Sequence, residues 1–367
     1  MRRLLFLSLA GLLAGCPGPE LISGTDAGRD AHAATPDVPA APPDAAEEPD
    51  APPLDAGVDL DAGSDDAGDD AGDDAGADAG DDVPRADAPE PFPSCPGFAD
   101  AVTRGRTPLG TVTEASGLVE SRLTHGVLWI HNDSGDSARI FAVDPTALVA
   151  RATYTFPGVT ARDWEDIAIG PGPEAGASYL YVGDIGDNGE TRSGVQVYRV
   201  REPASPSGAG SFSGIERFDL VYPDRPHNAE TLLVDPRTGD LFIVVKDGSG
   251  VSPVFRAAAP LATGVTITLE EVAVLRFGEG MLPGDTTTTG GDISPSGDEI
   301  LVRTYDSAYL WRRAGGASIA EALATEPCRV PLATEGQGEA IGFAADESGY
   351  YSTSEGSFVA ISFYARR

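Results

Sequence analysis

From Glu114 onward, apolar and polar positions recur in one order five times. An acidic residue comes first, then a short apolar run, a turn, a second apolar run, a polar loop and a third run. The starts are EASGLV at Glu114, WEDIAIG around Glu165, AETLLVD at Glu230, GGDISPSG at Asp292 and GEAIGFAAD at Glu339, spaced by 51, 65, 62 and 47 residues. Such a period belongs to propeller blades rather than to helical solenoids. The second runs (VLWIHND, YLYVGD, LFIVVKD, EILVRTYD, YYSTSE) are rich in β-branched and aromatic residues, the composition of strands. The turns between first and second runs carry Gly, Pro, Asp and Ser. The clearest is Asp235-Pro236-Arg237-Thr238-Gly239-Asp240, a hairpin by its turn residues.

Third strands read as ARIFAVD, VQVYRV, PVFRAA, AYLWRR and FVAISFY. Weaker fourth strands read as ARATYTF, IERFDLVY, EEVAVLRF and IAEALA. Sustained helical periodicity is absent, and only SIAEALAT at 318–325 has room for a turn or two of helix. Four antiparallel strands per unit in five units predict an all-β fold, a five-bladed β-propeller, with six blades as the alternative count. The fifth unit has three strands. The segment TPLGTV at 107–112 is the expected source of its outer strand, which would close the ring by joining the two ends of the domain.

The first 94 residues are different material. MRRLLFLSLAGLLAGC at 1–16 has two arginines, an apolar run and small residues before Cys16. This is the layout of an export signal, too short to span a bilayer. Residues 17–94 carry 22 acidic and two basic residues, with DAG seven times and few large apolar side chains. That composition cannot offset its ordering entropy, so a disordered, extended tether is expected. The propeller domain then covers 95–367. The chain's formal net charge is −33. No basic patch interleaved with aromatics appears, which argues against a nucleic-acid partner. The remaining cysteines, Cys95 and Cys328, would meet at the seam of a closed ring. In an oxidising compartment they are expected to pair.

The blade layout also gives the acids a common destination. Each first strand lines the channel, so Glu114, Glu165, Glu230, Asp292 and Glu339 are expected near one mouth. The loops after the second strands add HNDSGD (131–136), GDIGDN (183–188), Lys246-Asp247, Asp306 and Glu355. Carboxylates crowded there either hold protons or share a cation. Oxygen-only ligands suit calcium or magnesium. The other reading is that the acids are solvated or bonded to backbone N–H groups of the next blade. His131 and His227 fall on the same face as candidate general bases, or as packing residues. Arg303 and Lys246 could clamp an anion or neutralise neighbouring acids. Serine nucleophile elbows, Walker loops and HExxH pairs are missing from the sequence.

Two resemblances add to this reading. Leu13-Ala14-Gly15-Cys16 resembles the lipobox of bacterial lipoproteins, which implies a diacylated Cys16 at the mature N-terminus. It also implies a lipid anchor at the cell envelope, on the outer membrane or cell surface; a monomer is expected. The inner-strand acids and the DPRTGDLF hairpin resemble calcium-associated propellers. These are the gluconolactonase and regucalcin type, with paraoxonase-like relatives, and exported phytase-like propellers. The first group implies a channel metal held by Glu, Asn and Asp. Glu165 or Glu339 would supply the Glu, and Asn132 or Asn188 the Asn. Two functions follow as expectations. One is a calcium-bearing binding or scaffold module with an unidentified ligand on its acidic face. The other is a metal-dependent hydrolase of lactones, esters or phosphate esters. A third, a carbohydrate-active hydrolase with paired carboxylates, has few aromatics near the acids to support it.

Overall fold

The computed structural model describes Cys95 and residues 97–278 and 286–367. The export segment, Cys16 and the tether lie outside the described residues, as does the start of the GDTTTTGGD loop at 284–292. The described residues form 22 strands and one short helix in a five-bladed β-propeller.

Strand β1 (Val102–Arg106) comes first in the chain but belongs to the last blade. Blade one is β2 (Ala115–Glu120), β3 (Leu128–Asn132), β4 (Arg139–Val143) and β5 (Ala152–Thr155). Blade two is β6 (Trp164–Pro171), β7 (Ser178–Asp184) and β8 (Val195–Arg201). An excursion, β9 (Gly208–Ser211), precedes its outer strand β10 (Glu216–Val221). Blade three is β11 (Ala229–Val234), β12 (Leu241–Val245) and β13 (Val251–Ala257), then the excursion β14 (Thr266–Thr268) and β15 (Glu270–Arg276). Blade four is β16 (Thr288–Ile293), β17 (Glu299–Thr304) and β18 (Ala308–Arg312), then helix α1 (Ile319–Leu323) and β19 (Cys328–Val330). Blade five is β20 (Gly338–Phe343), β21 (Gly349–Ser354) and β22 (Ala360–Ala365), completed by β1.

Why these segments are strands is plain from where their side chains go. The second strands are sandwiched between two neighbouring blades, so successive residues enter different cores. In β12, Leu241, Ile243 and Val245 pack toward blade two, while Phe242 and Val244 pack toward blade four. A continuous apolar run is therefore required, not an alternating one. Each such side chain contributes about 1.5–3 kcal/mol by leaving water. The inner strands come close enough that a Cβ on Gly342 would lie 2.5 Å from the Leu118 carbonyl oxygen. The Asp235–Asp240 turn closes as its residues predict. Gly239 adopts φ +80°, its N–H donates to Asp235 O at 2.8 Å, and Asp235 Oδ1 caps Arg237 N.

Three details depart from the sequence reading. The closing strand is Val102–Arg106, not 107–112. Pro108 lacks an N–H, so the latter segment folds into a turn with Val112 N–H on Pro108 O, and buries Val112 between blades five and one. The fourth strand of blade four is Cys328–Val330. IAEALA is instead the helix, started by a capping box between Ser318 and Glu321. Finally, β9 and β14 each add a fifth, parallel strand to the rim of the preceding blade.

Cys95 and Cys328 form a disulfide with Cα atoms 5.0 Å apart, tying the N-terminal end to the outer strand of blade four. The loop it closes spans 233 residues. In the chain-entropy model such a loop restricts the unfolded chain by about 5 kcal/mol.

Candidate functional site

Each of the five inner strands carries a β-bulge at its N-terminal end. The register shifts occur at Ala115/Gly117, Trp164/Asp166, Ala229/Thr231, Thr288/Gly290 and Gly338/Ala340. The extra residues are therefore Ser116, Glu165, Glu230, Thr289 and Glu339. A bulge re-aims its side chain, and here length decides the target. Ser116 donates to Glu165 O and Thr289 to Gly338 O, so the short side chains tie one blade to the next. The three glutamates are buried, and their mutual repulsion marks them as neighbours at the mouth.

A second ring comes from the residue after each second strand. The strand pairs ending at Asn132, Asp184, Val245, Thr304 and Ser354 place Asp133, Ile185, Lys246, Tyr305 and Glu355 at equivalent positions. One oxygen each from Asp133, Glu339 and Glu355 lie within 4.8 Å of one another, and so do oxygens of Asp133, Asp163 and Glu165. Calcium binds oxygens at about 2.3–2.6 Å, so ligand atoms on a common ion fall within this range. Lys246 is ion-paired with Glu230, and its Nζ donates to the Tyr305 hydroxyl at 2.9 Å. That hydroxyl in turn reaches Glu339 Oε1 at 3.3 Å.

The electrostatics follow from burial and crowding. Burial, then Glu230, pushes Glu165 well above the usual carboxylate range. Glu339 is pushed up to about 9 by burial, with Glu230 and Glu355 adding repulsion. Burial raises Glu230 to about 7 against the pull of Lys246. Burial alone would lower Lys246, but Glu230 more than reverses that and raises it. Buried Glu230 Oε2 has no hydrogen-bond partner. Among the described residues no donor reaches the Glu165 carboxylate. A buried carboxylate without donors needs a proton or a cation.

Not every expected residue joins this group. Glu114 is exposed; its backbone carbonyl accepts Asp133 N–H and its charge repels Glu355, but it joins neither close oxygen group. Asp292 is buried along the channel wall, where it accepts Ile293 N–H at 2.8 Å and Phe343 N–H at 2.9 Å. Asp166 does the same for blades two and three through Ile167 and Leu232. His131 is fully buried against Trp164, with Nδ1 on Asn132 O, and burial lowers its pKa. His227 is packed between Tyr222 and Phe255 and bonds Asp224. Neither histidine pairs with a mouth carboxylate among the described residues. Asn132 spends its amide on Thr111 O, Asp136 and two backbone N–H groups, and Asn188 accepts from Asn228. Arg303 is buried on Glu335 at 2.8 Å. Tyr305 and Asp133 stood in the sequence only within the longer strings EILVRTYD and HNDSGD, and Asp163 is the acid directly before the WEDIAIG start. Their common signal is position, one residue after a second strand or two before a bulge.

No family model matches this chain, and no curated protein matches it.

Proposed function

We propose that this protein is an exported, lipid-anchored binding module of the bacterial cell envelope. Its channel mouth takes calcium, and the bound ion orders the face that meets a ligand or partner. The observation that carries this reading is the mouth itself. Asp133 brings an oxygen within shared-ligand distance of Glu339 and Glu355, and again of Asp163 and Glu165, and among the described residues no donor reaches the Glu165 carboxylate. Calcium fits because it accepts several carboxylates in flexible geometry. The export and anchor parts rest on residues 1–16 and Cys16. Binding is favoured over hydrolysis because the two candidate bases, His131 and His227, are sealed in aromatic packing.

The test is thermal unfolding of the whole chain in millimolar calcium, in magnesium and with chelator. Ligand present at a hundredfold excess over Kd stabilises the native state by about 2.7 kcal/mol. For a domain of this size that is a rise of about 5 °C. Tether aspartates bind folded and unfolded chains alike, so they do not move the midpoint. A midpoint indifferent to both ions and to chelator would overturn the reading.

A further inference from the structure

The blades present their mouth residues as five pairs, one at the bulge and one after the second strand. They are Ser116 with Asp133, Glu165 with Ile185, Glu230 with Lys246, Thr289 with Tyr305, and Glu339 with Glu355. In blades one and five the second position holds a carboxylate that joins a candidate ligand group. In blade three the same position holds the opposite charge. Lys246 is 18% exposed in its side chain, and its ammonium is in contact with the Glu230 carboxylate and the Tyr305 hydroxyl. Glu339 follows through that hydroxyl.

A carboxylate and a phenol oxygen touch the one positive centre, with a second carboxylate one hydrogen bond beyond, the beginnings of an oxygen shell of the kind a hard cation takes. The shell is not saturated by protein donors. Glu230 is 5% exposed, and its buried Oε2 has no hydrogen-bond partner. Glu230 also stands outside both candidate ligand groups, which centre on Asp133. The mouth is thus divided. Among the described residues no ion pair reaches its Asp133, Glu165, Glu339 or Glu355, whereas Glu230 is paired with a cation supplied by the chain.

We infer that Lys246 is a built-in cation that fills one position of the mouth and so limits how many divalent ions it takes. This rests on the calcium reading of the same site. A tethered ammonium needs no ion from solution, and it keeps the Glu230 sector neutralised while the Asp133 sector exchanges ions. Removing it opens a position that a mobile cation can fill, because the Glu230 carboxylate and the Tyr305 hydroxyl remain in place.

The experiment compares calcium bound per chain at equilibrium, by dialysis against radioactive calcium, in the whole protein and in K246M. The shared tether supplies the same weak background to both. K246M is expected to bind one more calcium ion. Its melting temperature should fall below that of the parent in chelator and recover in millimolar calcium. K246R keeps the charge and should bind as the parent does. The double variant K246M/E230Q should lose the extra ion. Should K246M fail to fold in chelator, K246Q refolded in calcium gives the same count.

If the parent takes up calcium above background and neither K246M nor K246Q gains an ion, this inference fails while the calcium reading stands. If no variant binds above background, both fail. A gain confined to K246M and K246Q over a calcium-binding parent upholds the inference; a parent that takes none overturns the calcium reading and this inference with it.

Discussion

Asp292 and Glu339 begin neighbouring blades, are both buried carboxylates, and carry opposite assignments. Asp292 receives two backbone N–H groups, one of them from the next blade. Glu339 receives one phenol hydroxyl at 3.3 Å. Burial raises both, Asp292 to about 6 and Glu339 to about 9. The contrast teaches that burial and charge do not mark a ligand. The number of donors already spent on the carboxylate does. Asp292 and Asp166 are staples between blades; Glu165, Glu230 and Glu339 still have acceptor capacity.

The most forceful way to break this comparison is to remove a staple. D292A strands two buried N–H groups, each worth about 1–3 kcal/mol when unsatisfied. Urea unfolding should show a loss of about 3–5 kcal/mol, equal with and without calcium. A loss that calcium restores would make Asp292 a ligand after all.

Next comes E339Q at the mouth. It replaces a carboxyl that must take up a proton on folding with a neutral amide of the same shape. In chelator it should stabilise the protein by about 1–2 kcal/mol, the reverse of the staple variant. In calcium it should shrink the calcium-induced rise in melting temperature. Destabilisation in chelator would count against an unsatisfied Glu339.

The pH dependence sharpens the same point. A carboxyl whose folded pKa lies above its unfolded value keeps a proton in the native state that the unfolded chain has released. Stability therefore falls as pH rises between the two values. For Asp292 this window closes near pH 6, for Glu230 near 7, and for Glu339 it runs from about 4.5 to about 9. Melting temperatures in chelator should fall from pH 7 to 9. Calcium, which replaces the proton, should flatten that slope, and E339Q should reduce it. A flat profile in chelator would mean that the mouth is better solvated than its burial implies.

The smallest effect belongs to Y305F, which removes one hydroxyl between Lys246 and Glu339. A loss of about 1 kcal/mol in chelator is expected, measured by the same urea unfolding. A larger loss would show that the hydroxyl, not Glu230, holds the ammonium.

Much of the fold could be read from residues alone, because its signals are local. Alternating cores make the second strands continuously apolar, turn residues mark their ends, and the five repeats count the blades. The strand that closes the ring could not be read, since Val102–Arg106 is nearly all exposed and has no apolar pattern. Nor could β9 and β14, whose partners lie in another blade. At the site, recurrence of acids pointed to the right mouth and to Glu165, Glu230 and Glu339. It also admitted Glu114 and Asp292, which match the pattern of type but not the bulge.

By itself, then, the sequence determined a five-unit all-β chain, its pairing cysteines and a convergence of carboxylates. Only the tertiary structure decided which carboxylates face the mouth. A bulge inserts one residue, and one residue turns a strand's side chains to the opposite face. Whether an acid two places from a repeat boundary meets water, a cation or a neighbour's N–H is therefore set by pairing between strands that are distant in the chain.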